Sequence, residues 1–416
     1  MILQQIDTFK QKALQYASTF EACCFLDSHH YEDKYGKYDC LIAFGSEKEL
    51  TASVGNAFSS LKTFTKENKE WMFGLLTYDL KNEIEDLQHT KEDLLQFPDL
   101  YFFVPKNLIS IKGNNIQVIK GKTDIIDEIL NLPVPSKVPN KVLDIKSKLV
   151  KAEYLCSIDK IRQHIKRGDI YEMNFCQEFF AENAIIDPLT TYYHLTKISP
   201  TPFSGFFKIR NKYILSATPE RFLSKSGNIL TSQPIKGTAK RSDNQAEDLS
   251  IKTDLKNNKK EQAENVMIVD LVRNDLTKSA TKGSVKVDEL FGIYTFPQVH
   301  QMISSISCEL SSEVHFVDAI KNTFPMGSMT GAPKLRAMQL IDQYERSKRG
   351  AYSGSFGYIS PDGDFDFNVI IRSILYNSTT KYLSFQVGGA ITYQSDAEKE
   401  YEECLLKASA IMSVLS

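Results

Sequence analysis

The chain has 416 residues, 42% hydrophobic and 25% charged, which is enough for a large core and excludes a short module or a disordered polymer. Fifty Lys plus Arg against 52 Asp plus Glu leave a formal net charge of −2, so no global field draws it to nucleic acid or anionic lipid. Its seven cysteines are scattered and form no C-x-x-C, which argues against a disulfide framework or a zinc site and points to reduced thiols in a cytoplasmic protein.

The amino terminus, MILQQIDTFKQKALQYASTF, has helical spacing and lacks the basic flank, long apolar stretch and cleavage site of a signal peptide. No run approaches the roughly 20 apolar residues of a membrane helix; the strongest, VMIVDLV, is short and carries Asp270. Pro133, Pro135 and Pro139 mark a linker, taken as 121–150, between an amino-terminal lobe (1–120) and a carboxy-terminal region (151–416) expected to hold most of the chemistry. In that region, apolar residues at Leu155, Ile158, Ile161 and Ile165 predict a helix over 154–166 that Gly168 ends, and the aromatic run IYEMNFCQEFF predicts a strand. The stretch GFFKIRNKYILSATPERFLSKSGNIL reads as an antiparallel meander, and 262–276 and 333–347 return to helical spacing. Three further strands follow, SGSFGYIS, FNVIIRSILYN and KYLSFQVGGAI, and then an amphipathic helix over 396–415 behind a Ser395-x-x-Glu398 capping box. Hairpins punctuated by long helices predict the α+β class, and no G-x-G-x-x-G follows a strand, which disfavours a dinucleotide site.

Three Glu-x-x-Glu spacings each put two carboxylates on one helical face. Glu67 and Glu70 read as solvated surface, whereas Glu261 with Glu264 and Glu400 with Glu403 adjoin apolar helical faces, where carboxylates require cations. Four such oxygen donors suit a hard divalent ion such as Mg²⁺. Lys236, in PIKGT, is either part of a surface turn or an amine exposed to a pocket; as a nucleophile it must be neutral, which an unperturbed lysine almost never is at pH 7. The loop FPMGSMTGAPK opens a helix but lacks the glycine directly before lysine that a nucleotide-triphosphate loop needs. His300 lies in a hydrophobic segment without a sequence-adjacent partner. Arg372, read as inside an apolar strand, must meet either an internal carboxylate or one on a substrate.

Taken in order, PIKGT, AENVMIVDLVRNDL, GSVKVDELF, FPQVH, FPMGSMTGAPK, RGAYSGSFGYI, IIRS, GGAI and EYEECLLKA resemble the chorismate-utilising enzymes, with weaker similarity upstream in CFLDS and FGLLTYDLKNEIEDL. The resemblance implies a two-lobed fold with an antiparallel β-sheet core and outer helices, like that of the anthranilate-forming members, with the site between the lobes. Lysine in PIKGT matches the branch that forms 4-amino-4-deoxychorismate on the way to 4-aminobenzoate and folate; the anthranilate-forming branch, the alternative, typically has alanine there. In the lysine branch the matching residue attacks C2 of chorismate as the C4 hydroxyl leaves, and ammonia then adds at C4 and expels it.

By the same resemblance Glu220 is the general acid toward the C4 hydroxyl and His300 lies beside the ring. Glu261, Glu264, Glu400 and Glu403 hold Mg²⁺. Thr238, Thr330, Tyr352, Arg372, Gly388, Gly389 and Lys407 bind substrate. Glu172 departs from the family's usual glutamine, Ala390 from its glycine and Thr218 from its serine; Glu172 is expected to help hold ammonium. No cysteine sits in a G-x-C-x-G setting, so the ammonia is expected from a separate glutamine amidotransferase subunit. A rival from another class is a catalytically weak binding subunit that senses tryptophan or holds the glutaminase, which the resemblance of Leu26-Asp27-Ser28 to the family's tryptophan-pocket motif implies.

Overall fold

The computed structural model describes residues 5–87, 91–134 and 142–416, so Pro135 and Pro139 of the expected linker lie outside the described residues, while a helix, Ile125–Asn131, occupies its first part. All strand pairings among the described residues are antiparallel and form one network that divides into two layers. The first layer runs Glu172–Ala181, Tyr382–Ile391, Ser373–Asn377, Lys212–Ser216, Ser204–Ile209 and Ala22–Asp27. The second runs Met72–Leu76, Ser355–Ile359, Phe365–Asn368, Arg221–Ser226, Ile229–Gln233, Val299–Glu309 and Lys286–Thr295.

Two long strands, Cys40–Ala52 and Leu100–Lys112, join the layers. Each gives one half to each layer, and their register shifts between Ser46 and Lys48, next to Gly45 in the left-handed region and opposite Pro105. A bulge of this kind bends a strand and lets it pass from one sheet to another. The first 120 residues are therefore hydrogen-bonded into the rest: Ala22–Asp27 pairs with Ser204–Ile209, and Met72–Leu76 with Ser355–Ile359.

Strand alternation sends successive side chains to different cores. Ala22, Cys24, Leu41 and Phe207 of the first layer share a core with Leu75, Phe102, Phe356 and Phe367 of the second. Their neighbours Cys23, Phe25, Ile42 and Phe206 pack instead against helices Ile6–Ala17, Lys151–Arg167, Pro188–Ile198 and Ala397–Leu415. The fold is thus α+β, with an antiparallel core and outer helices.

Three local expectations are corrected. The expected meander is two hairpins in different layers, because residues 217–220 carry the chain across from Lys212–Ser216 to Arg221–Ser226. FNVIIRSILYN is likewise two strands, Phe365–Asn368 and Ser373–Asn377, with a crossing at 369–372; an apolar run cannot reveal that its two ends belong to different layers. The last helix is capped by Asp396, whose side chain accepts from Lys399 N–H, while Ser395 Oγ accepts from Thr392 N–H. All seven cysteines are free, and no helix among the described residues is long and apolar enough to cross a membrane.

Candidate active site

The two crossings lie side by side. Val369 N–H donates to Glu220 O at 3.0 Å, and Ala217 N–H donates to Arg372 O at 3.2 Å. Arg372 sits in the left-handed region (φ 51°), a backbone state that costs a non-glycine residue on the order of 1 kcal/mol and concentrates at functional sites. These crossings form one wall of an open cleft of about 990 Å³, counting its solvent-filled mouth. Lys236, Glu220, Thr238, Tyr352, Arg372, Gly388, Gly389, Lys407, Glu261, Glu264, Glu400 and Glu403 all line it.

Helices Lys259–Thr277 and Ala397–Leu415 each bring two of the glutamates. The first is capped by Asn258, which accepts from the N–H groups of Lys260 and Glu261 and so fixes where Glu261 and Glu264 emerge. Lys407 Nζ donates to Gly388 O at 2.9 Å and pairs with Glu403 Oε1 at 2.7 Å, tying the second helix to the glycine strand. Gly388 is required there, since a Cβ would meet Phe175 O at 2.0 Å. Gly237 adopts φ 98°, turning the chain directly after Lys236.

The electrostatics of the cleft are unbalanced. Burial pushes Glu220 up to about 7 against the opposing effects of the Ser328 hydroxyl, the Ile235 backbone and Lys236. Burial likewise pushes Glu264 up to about 7, and its Oε1 has no hydrogen-bond partner among the described residues. Glu261 and Glu400 are raised by burial, whereas Lys407 holds Glu403 down. Arg372 makes no ion pair among the described residues, and burial lowers it. Lys236 is desolvated, yet Glu172, Glu264 and Glu261 together raise it; its Nζ donates to Glu172 Oε1 at 2.7 Å.

The donor set fits a hard divalent cation: carboxylate oxygens from two helices, three of them shifted toward protonation, and one buried oxygen, Glu264 Oε1, that meets Lys260 Nζ at 3.6 Å and accepts no hydrogen bond among the described residues. Among the described residues, no three His, Cys, Asp or Glu side chains are gathered closely enough to hold a metal by themselves.

Two expected residues stand outside the cleft lining. His300 is 1% exposed, with Nε2 at 3.0 Å from Asp248 and Nδ1 at 3.0 Å from Thr295. The period of two along its strand turns Gln301, not His300, into the cleft. Thr330 is fully buried, its hydroxyl donating to the carbonyls of Met326 and Gly327. Conversely, Asn174, Gln301, Ser328, Gln386 and Lys260 line the cleft without having been singled out, and only Gln301 had a signal, as the alternate neighbour of His300. Arg349 also went unnoticed: it is bonded to Glu345 and donates to the carbonyls of Met329 and Asn174, both cleft residues. Leu26, Asp27 and Ser28 line a second cavity of about 640 Å³, where Asp27 is bound by Lys10 at 2.7 Å.

The sequence profile described as chorismate binding enzyme matches residues 21–413. The chain is 33% identical to aminodeoxychorismate synthase component 1 of Escherichia coli (strain K12) over 82% of its length and 76% of that protein. It is 41% identical to the probable aminodeoxychorismate synthase, chloroplastic, of Oryza sativa subsp. japonica, over 92% of this chain but only 44% of that longer protein. In three dimensions it resembles anthranilate synthase component I from Streptococcus pneumoniae TIGR4 with a TM-score of 0.80 and 26% identity, covering 92% of this chain and 93% of that one.

Proposed function

The chain belongs to the chorismate binding enzyme family, and within it we propose that this member is an aminodeoxychorismate synthase, converting chorismate and ammonia to 4-amino-4-deoxychorismate and water. The observation that carries this reading is Lys236: its side chain is 11% exposed in the wall of the cleft that also holds Glu220 and the four glutamates. An amine so placed can form a covalent bond to a ring that a small residue would only contact.

In the proposed reaction Lys236 Nζ bonds to C2 as the ring double bonds shift and the C4–O bond breaks. Glu220, held near 7 by its burial, gives its proton to the departing hydroxyl. Ammonia then bonds to C4, the Nζ–C2 bond breaks, and Glu220 recovers a proton from the new ammonium. Arg372, without an internal carboxylate among the described residues, receives a carboxylate of the substrate, and the backbone at Gly388 and Gly389 lets that substrate approach closely. Glu261, Glu264, Glu400 and Glu403 would hold Mg²⁺, which when bound supplies positive charge for the other carboxylate. The ammonia is assigned to a partner glutamine amidotransferase.

The test is product analysis of the purified chain with chorismate, Mg²⁺ and ammonium at alkaline pH, beside Lys236→Ala. Aminodeoxychorismate is expected, with at least about a hundredfold loss in the variant. Anthranilate and pyruvate, or full activity in the variant, would overturn the reading and favour the anthranilate branch, whose component I shares this fold.

A further inference from the structure

A lysine that must attack carbon is held here in the state that cannot do so. Lys236 Nζ lies 2.7 Å from Glu172 Oε1, and Glu172 is 1% exposed at the start of the strand Glu172–Ala181. Glu220, Glu261, Glu264 and Glu403 also face Lys236, but among the described residues none of them comes within ion-pair distance of Nζ. The second oxygen of Glu172, Oε2, is buried without a hydrogen-bond partner among the described residues. Buried carboxylate oxygens are normally satisfied, so this one calls for an explanation. The strand beneath is firmly held: Met173 pairs with Gly331 and with Ile391, leaving Glu172 little freedom to move away from Lys236.

Resting on the reading of Lys236 as nucleophile, we infer that Glu172 is its positioning residue and the acceptor of the proton it must lose. The proton moves from Nζ to Glu172 along the 2.7 Å bond, and the freed electron pair forms the Nζ–C2 bond while the hydroxyl departs as water with the proton of Glu220. When ammonia has added at C4, the electron pair of the breaking Nζ–C2 bond returns to Nζ as a neutral amine. Glu172 then gives its proton back, and the resting ion pair is restored. No outside acid, base or oxidant is needed. This assigns Glu172 to the lysine rather than to the ammonium ion expected from the sequence.

The experiment uses the full chain as wild type, Glu172→Gln, Glu172→Asp and Lys236→Ala. Lys236 is first labelled with acetic anhydride across a pH series and quantified by peptide mass spectrometry, a readout that needs no turnover. Glu172→Gln is expected to label about tenfold faster at pH 8, because the anion that holds the ammonium is gone. In the coupled assay with saturating ammonium it is expected to lose a factor of about 10² in kcat, with the KM for chorismate within about twofold, and Glu172→Asp to recover part of that loss. If Lys236→Ala stays active, the reading of the lysine falls, and this inference with it. If Lys236→Ala is dead while Glu172→Gln keeps its kcat, whether or not the labelling changes, only the role of Glu172 falls. Unchanged labelling with a raised KM for ammonium alone would overturn it in favour of an ammonium site.

Discussion

Arg349 and Arg372 both lie beside Tyr352, yet their surroundings differ in kind. Arg349 is 3% exposed and saturated: Nε and Nη2 form a two-pronged bond to Glu345 at 2.9 and 2.6 Å, and the remaining donors reach Met329 O, Asn174 O and Ser353 Oγ. Glu345 Oε1 also accepts Cys176 N–H at 2.9 Å. Arg221 is built in the same way, with Asp366 at 2.8 Å, Gln233 at 2.5 Å and Asp33 around one guanidinium. Arg372 has no carboxylate partner among the described residues, and Glu264 Oε1 and Glu172 Oε2 no hydrogen-bond partner among them. Fully matched charges brace the fold; Arg372, without an anion among the described residues, and Glu220 and Glu264, pushed toward protonation by burial, line the cleft and wait for a ligand.

The sharpest way to break this contrast is to remove a charge from each set. Arg349→Ala leaves Glu345 buried without its cation and three backbone or hydroxyl acceptors unfilled, so urea unfolding should show a loss of about 3–5 kcal/mol. A loss below about 1 kcal/mol would mean that the pair does not brace the fold.

Glu220→Gln should move stability the other way. The folded value near 7 lies above the ordinary 4.5, so the folded chain binds a proton that the unfolded chain releases. That contribution is fully present below about pH 4.5 and is lost as pH rises through about 7. At pH 8 the neutral, isosteric variant should therefore be more stable, on the order of 2–3 kcal/mol, while turnover falls about 10²-fold or more for want of an acid. Equal stabilisation at pH 5 would contradict the titration.

Glu264→Gln is the smallest and most diagnostic change. Glu264 follows the same sign over the same window, and the variant should gain on the order of 1 kcal/mol at pH 8 without metal. Added Mg²⁺ should raise the thermal midpoint of the wild type at pH 8 and have a much weaker effect on the variant. Equal responses would remove Glu264 from the cation site.

Much of the site could be read from residue order, because short motifs bring their own local geometry. PIKGT contains both the amine and the glycine whose positive φ turns the chain after it, and the Glu-x-x-Glu pairs at 261–264 and 400–403 each place two carboxylates on one helical face, whereas the helix Ala57–Glu67 ends before Glu70, so that third pair does not. Long strands and helices were legible for the same reason, since their periods of two and 3.6 are written in neighbouring residues. His300 shows the limit: its motif was visible, but which of two adjacent strand residues faces the cleft depends on register, and register put Gln301 there. Arg372 shows another, because nothing in VIIRSIL marks a change of layer in the middle of the run.

The sequence by itself determined the α+β class and the two helices that carry the glutamates, since these depend on local periodicity. The tertiary structure alone decided that residues 217–220 and 369–372 cross between layers side by side, that Glu172 lies against Lys236, and that Arg349 reaches the carbonyl of Asn174. Those facts rest on contacts between residues 64 to 175 positions apart, and partnership at that range is fixed by how the layers pack, not by any pattern along the chain.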